Sequence, residues 1–318
     1  ELYLLQKLMR GIGVNNIDSR LSQSDFSLDG KLSGTLSLGG KLKDLTSSKS
    51  ILLIGSVLRE EQPLIAAKIR NAVKKGTHLN VISVLGEDLL CTVKNQLTVD
   101  PREVVYTLAQ IAKATGVNSR MIDLSAVEVS APAKSIANSL AHGDGYIVLG
   151  NIAKSLASYS EILILVKAIA NQVNARFGQF ASGANEVGAN LVGFVPFKAE
   201  FNHKVDKPGL NAAQMLYNRR NAYVLLNTEP EYDAYNSAQA LSALKQADTV
   251  VVFSPYISDT MKDYADVILP ITPFTETAGS YVNMEGRWQK FNGATRPLGD
   301  SKPGWKVLRV LANHLNLA

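Results

Sequence analysis

The chain has 318 residues, 46% of them apolar and 19% charged, with a net charge of +5. That balance describes a globular protein long enough for two ordinary domains, and no run of five or six basic residues marks a nucleic-acid or membrane face. A single cysteine, Cys91, and four scattered histidines exclude an internal disulfide, an iron–sulfur cluster and a zinc finger within this sequence and fit a reducing, intracellular setting.

The opening "ELYLLQKLMRG" has no start methionine and no signal-peptide pattern, and it reads as the start of a piece of a longer protein. Leu2, Leu5 and Leu8 share one side of a predicted amphipathic helix that stops at Gly11. The "GIG" of residues 11–13 follows a helix rather than a strand, so it is read as a helix end and not as a dinucleotide fingerprint. "LDGKLSGTLSLGGKLKDLTSSKS" is rich in Gly, Ser and Lys and is read as a surface connection with a short hairpin.

"ILLIG" (51–55) is then a continuous apolar strand, residues 60–75 a helix with Pro63 in its first turn, and "LNVISV" (79–84) the next strand, which makes a βαβ unit. Helices follow at 102–115 and 132–141, then the strand "YIVLG" (146–150) and an apolar helix at 160–174, too short to span a bilayer. The grammar recurs with strands 222–227 and 249–254, a short helix at 258–264, a strand at 266–269, a polar loop at 270–290 and a last helix at 303–315. The expected fold class is α/β: mostly parallel sheets with helices on both faces, in two Rossmann-like halves. The expected division is 1–48 as a tail and linker, 49–143 as a first α/β unit and 144–318 as a second.

Such sheets bind ligands at the carboxyl ends of their strands, which singles out loops 55–60, 150–155, 227–233, 254–258 and 270–290. Gly55 and Gly150 either permit tight turns or let backbone N–H groups approach an anion. No metal-ligand spacing, phosphate-cradling loop or nucleophile elbow occurs, so no catalytic and no metal residue is assigned. Glu276, Glu285 and Arg287 suit acid, base and anion clamp; equally, with Asn283 and Gln289, they suit a long loop that satisfies its own backbone. Both readings stay open on chemistry alone.

"YADVILPITPFTETAGSYVNMEGRWQ" resembles the closing signature of the molybdopterin-oxidoreductase superfamily, carried by Ala265, Asp266, Val267, Leu269, Pro270, Glu276, Gly279, Asn283, Glu285 and Arg287. "ILLIGSVLREEQPLIAAKIRNAVKKG" is similar to its pterin-domain segment, with "GSVL" where Gly-x-Asn-Pro is usual, and "DSRLSQSD" lacks the Cys-His pair of the molybdenum enzymes. With "YLLQKLMRGIGVNNIDSRLSQSDF", "GANEVGANLVGFVP" and "NMEGRWQ", the likeness extends to the large iron–sulfur subunits of bacterial NADH:quinone oxidoreductase, respiratory complex I. That resemblance implies a non-catalytic scaffold beside a cysteine-rich N-terminal region that carries the clusters and passes electrons from NADH toward quinone. Its implied partners are that iron–sulfur region and the other peripheral-arm subunits. Its implied place is the cytoplasmic side of the inner membrane, with no direct insertion and no nucleic acid. No cofactor is expected within the chain; Gly55, Asn151, Asn227, Glu276, Asn283, Glu285 and Arg287 are then vestigial ligand positions, and Glu285 and Arg287 are expected to be paired and mostly buried. The alternative is a piece of a working molybdopterin-dependent oxidoreductase, of formate dehydrogenase or nitrate reductase type, in which these positions meet the pterin nucleotide.

Overall fold

A computed structural model describes residues 1–32, 34–119 and 122–317. The continuous apolar runs become central strands because both their faces are covered by protein. β1 (Ser50–Ile54), β2 (His78–Ser83), β3 (Asn95–Thr98), β4 (Gly145–Leu149) and β5 (Arg176–Gln179) form one all-parallel sheet in the order β3-β2-β1-β4-β5. β6 (Ala222–Leu226), β7 (Thr249–Ser254) and β8 (Val267–Pro270) form a second parallel sheet in the order β6-β7-β8. β9 (Gly279–Val282) and β10 (Trp288–Phe291) make an antiparallel hairpin.

The chain divides into two compact units. The five-stranded unit is Leu36–Glu186 with Asn283–Arg287; the three-stranded unit is Glu1–Thr35, Val187–Val282 and Trp288–Ala318. β4 pairs with β1, so it lies in the five-stranded sheet, whereas a boundary at 144 assigns it to a second half. The units are discontinuous in sequence, a feature that division in chain order (1–48, 49–143, 144–318) does not represent.

In the five-stranded unit all residues of β1 and β4 are buried. Ile51 and Leu53 pack with Leu45, Ile65 and Ile69 of the helices Leu42–Ser47 and Pro63–Lys74. Ala131–Ala141 and Tyr159–Gln172 also lie against the strands, and Val104–Ala114 packs against both of these helices. Side-chain alternation along each strand supplies both faces. A buried polar knot, in which the Asn80 amide donates to Ser50 Oγ, Ser139 Oγ and the Ile51 carbonyl while accepting from Asn95, pins β2 and β3 to β1. In the three-stranded unit Leu5, Ile17, Phe253, Ile271 and Leu308 form one core and Tyr223, Leu244, Val250, Val252 and Met261 another.

Among the described residues of 28–50 the expected hairpin does not form. A short helix, Leu42–Ser47, stands in that stretch. The opening helix ends at Gly11, as its pattern requires, and Gly13 follows at φ +84. Among the described residues no helix is long and apolar enough to cross a membrane.

Candidate functional site

The five-stranded sheet has one place where a ligand site is expected on topology alone. From β1 the chain runs outward through β2 and β3, then crosses back to add β4 and β5 on the other side. The loops that leave β1 and β4 therefore diverge, and the opening between them is the usual ligand crevice.

Here that opening is closely filled by the loops themselves. Gly55 sits at φ +57, and a Cβ on it would lie 2.7 Å from the Ala153 nitrogen. A Cβ on Gly150 would lie 2.5 Å from Ser56 Cα. The two glycines exist so that these backbones can touch, and the Ala153 N–H donates to the Gly55 carbonyl at 3.1 Å. The Ser56 hydroxyl is buried beneath this contact and has no hydrogen-bond partner among the described residues.

Around this contact the anion-binding groups are already taken. The N–H groups of Leu58 and Arg59, free because a helical turn starts there, donate to the Glu87 carboxylate at 2.9 and 2.6 Å. After β5, the Ser182 N–H donates to Glu186 at 2.5 Å, and the Lys154 ammonium closes an ion pair with the same carboxylate at 2.9 Å. Asn151 donates to Glu61 at 3.1 Å and accepts from the Ser182 hydroxyl at 3.2 Å. Burial pushes the Glu61 carboxyl up, against the pull of Asn151 and Lys154.

The three-stranded sheet repeats the pattern. Asn227 ends β6 in the left-handed region at φ +49 and is exposed, with its N–H on the Phe253 carbonyl at 2.7 Å. Just beyond it, Asp233 accepts from the Glu229 N–H at 2.8 Å and the Thr228 hydroxyl at 2.7 Å.

The signature loop is built from the same kind of bond. Asp266 accepts from the Val250 N–H at 2.7 Å and so ties the start of β8 to β7. Pro270 ends β8, an edge strand where its missing N–H costs no ladder bond. Glu276 accepts from the Leu298 N–H at 3.0 Å. Gly279 faces Phe291 across the hairpin, and a Cβ there would meet the ring at 2.7 Å. Asn283 Oδ1 accepts from the N–H groups of Glu285 and Arg287 at 3.1 and 2.9 Å, and Gly286 takes φ +79 in the turn. Within the five-stranded unit the Met284 carbonyl accepts from the Leu38 N–H, and Glu285 accepts the Leu42 N–H at 2.6 Å, capping the helix Leu42–Ser47.

One expectation fails here. Glu285 is half-buried and Arg287 is exposed, and no ion pair joins them among the described residues. Glu285 spends its charge on a helix N-terminus in place of a cation, which leaves Arg287 in water.

The sequence thus placed Gly55, Asn151, Asn227, Glu276, Asn283 and Glu285 at strand ends or in the motif turn. The structure brings Gly55 and Asn151 to one crevice and Asn283 with Glu285 to one turn; Asn227 and Glu276 each stand at a separate loop of the three-stranded unit. Missed were Glu61, Glu87, Ser182, Glu186 and Asp233. Glu61 was visible as a carboxylate just after a strand, in "LREEQPL". Ser182 and Glu186 were hidden because β5, "RFGQ", has a single large apolar residue and was not recognised as a strand.

The family model for molybdopterin oxidoreductases matches residues 1–314. The chain belongs to the molybdopterin oxidoreductase family. A curated relative in that family, "Putative formate dehydrogenase SH0748" of Staphylococcus haemolyticus, is 25% identical over 99% of this chain and 38% of its own length. The chain spans about two fifths of the length of the curated relatives it matches. Among solved structures, a chain of the formyltransferase/hydrolase complex of Methylorubrum extorquens, in complex with methylofuran, aligns at 16% identity with a TM-score of 0.68, over 99% of this chain and 89% of that one. Acetylene hydratase from Pelobacter acetylenicus aligns at 13% identity and 0.62, over 99% of this chain and 51% of that one. These two carry the fold, and the α/β class read from the sequence agrees with them.

Family membership raises the question of the pterin nucleotide and its metal. The donor chemistry at the crevice does not fit the diphosphate of that nucleotide. At the crevice the backbone N–H groups suited to a diphosphate already hold Glu87 and Glu186, and an incoming anion would meet like charge. Among the described residues no cluster of three or more His, Cys, Asp or Glu is arranged for a metal ion. Cys91, the one thiol, is half-buried against the β1–β2 core, and burial pushes its pKa up.

Proposed function

We propose that the chain is a cofactor-free α/β scaffold within a larger oxidoreductase, the role held by the molybdopterin-like part of the large iron–sulfur subunit of complex I. The observation that carries this reading is that carboxylates of the chain itself take the backbone N–H groups at three strand ends: Glu87 at the loop after β1, Glu186 after β5 and Asp233 after β6. A carboxylate held by two donors is a stable substitute for a bound phosphate, and it removes the positive potential that a diphosphate needs. On this reading the neighbours are a cluster-bearing iron–sulfur region and other peripheral-arm subunits, on the cytoplasmic side of the inner membrane.

A second reading is a working molybdopterin-dependent oxidoreductase of the formate dehydrogenase type. The names of the curated relatives favour it over the complex I assignment, because those relatives are named as formate dehydrogenases and not as complex I subunits. The Ser56 hydroxyl in the crevice, unpartnered among the described residues, is the structural observation on its side. A calorimetric titration of the chain with pyrophosphate and with a nucleoside diphosphate separates the two. The scaffold reading expects no saturable heat from wild type; tight binding of either probe by wild type supports the second reading and overturns the first.

A further inference from the structure

The three-stranded unit carries a group of exposed aromatic side chains that none of the foregoing roles uses. Tyr232 is 79% exposed and Tyr256 70%, and Tyr217, Tyr235 and Ile257 are also well exposed. They lie on adjoining pieces of chain. Tyr232 belongs to the short helix after β6, and Tyr235 follows it. Tyr256 and Ile257 belong to the loop after β7. The two loops are joined where Glu231 accepts from the Ser258 hydroxyl at 3.3 Å and from the Tyr264 hydroxyl at 3.4 Å. Asn236 donates to the Tyr217 hydroxyl at 3.4 Å and extends the group. Single exposed apolar residues are ordinary; four tyrosines and an isoleucine on neighbouring loops make a patch.

The loop that carries Tyr232 and Tyr235 is opposite in charge to the chain, whereas Tyr217 is followed by Arg219, paired with Asp248 at 3.1 Å, and Arg220. The loop 227–236 carries Glu229, Glu231 and Asp233 and no lysine or arginine, in a chain of net charge +5. The helix Asp259–Lys262 adds Asp259, whose charge Lys262 already meets at 2.8 Å. Glu231 and Asp233 are engaged with their own loops, and Glu229 is exposed. Tyrosine rings rimmed by carboxylates suit arginine in particular: the guanidinium stacks on the ring face and pairs with the acid at its edge. Tyrosine also supplies a large contact area with few rotatable bonds, which is why it concentrates at interface centres.

We propose that the surface formed by Tyr217, Tyr232, Tyr235, Tyr256 and Ile257 is a docking face for a protein segment rich in arginine, with Glu229 as the steering charge. It is independent of whether the crevice in the five-stranded unit holds a ligand.

The test compares hydroxyl-radical oxidation of the tyrosines in the isolated chain and in the full-length protein purified with its associated subunits. Tyr232 and Tyr256 are expected to be oxidised several-fold more slowly in the assembly, and cross-links from Glu229 are expected to reach an arginine-containing peptide. In the Glu229→Arg variant, whose side chain stands in solvent, the protection is expected to fall at physiological salt while far-UV circular dichroism stays unchanged. Equal oxidation in both samples overturns the proposal. So does protection that survives Glu229→Arg, or a self-associated form of the isolated chain in sedimentation that buries the same tyrosines.

Discussion

Replacing Gly150 by alanine isolates the close contact at the crevice. Gly150 has φ −87 and ψ 177, which any residue adopts, so the substitution adds no backbone strain. It adds one methyl group, 2.5 Å from both Ser56 Cα and Ser56 Cβ, where an ordinary contact needs about 3.5 Å or more. Neither side gives way easily. The Gly150 N–H is held by the Ile54 carbonyl at 2.8 Å and the Gly55 N–H by the Ile82 carbonyl at 2.8 Å. Overpacking costs about 1–3 kcal/mol, and backbone on both sides puts this case near the top of that range. Gly86→Ala is the control, because nothing lies within 4 Å of its would-be Cβ and its φ is not positive; it is expected to change stability by less than about 1 kcal/mol. Urea unfolding followed by far-UV circular dichroism reads both, with a midpoint loss for Gly150→Ala of about 1 M for an m-value near 2–3 kcal/mol/M. Hydrogen exchange at Gly55 and Ala153 should quicken in the same variant. If Gly150→Ala unfolds at the wild-type midpoint with those amides still protected, the crevice is not closed as described.

Three further outcomes follow from the same geometry. Glu285→Ala removes the carboxylate that caps Leu42–Ser47, and at about 1.5–3 kcal/mol for a hydrogen bond to a charged group it should lower stability and speed exchange of the Leu42 amide, whereas Arg287→Ala should do neither. Gly279→Ala should loosen the β9–β10 hairpin by pushing on Phe291, and Phe291→Ala should relieve most of that effect in a double-mutant cycle; additive losses would refute the contact. Lys198 is buried, and burial first, then Arg20, lowers its pKa to about 8, against the opposing pull of Asp29. The unfolded chain, with a lysine pKa near 10.4, then binds more protons than the folded one between about pH 8 and 10. Wild type should gain stability relative to Lys198→Met as pH rises through that window, on the order of 1 kcal/mol; a flat difference across it would show that the ammonium is not destabilised by its site.

How much of this was legible depends on where each element gets its stability. β1, β4 and β7 announce themselves because both faces of a central parallel strand are buried and the run is apolar throughout. β3 and β5 lie at the sheet's edges, and "NQLT" and "RFGQ" have too few large apolar residues to signal a strand. The helix Leu42–Ser47 sits in a Gly-, Ser- and Lys-rich stretch, and one of its caps comes from Glu285, 243 residues away, which no local pattern reveals. The motif loop was legible as a cluster of polar groups but not as to purpose. Asp266, Glu276, Asn283 and Glu285 each bind backbone N–H groups, and a carboxylate reads the same in sequence whether it faces a ligand or its own chain. The expected Glu285–Arg287 pair failed for that reason.

The central claim is that the chain's own carboxylates stand where a pterin nucleotide would be held. Its most direct test is analysis of the full-length protein, purified without chelators, for molybdenum or tungsten by mass spectrometry and for released pterin by fluorescence after oxidation. The account predicts neither in stoichiometric amount, in wild type and in Glu87→Gln alike. One pterin and one metal per wild-type chain, with this crevice protected on loading, would contradict it.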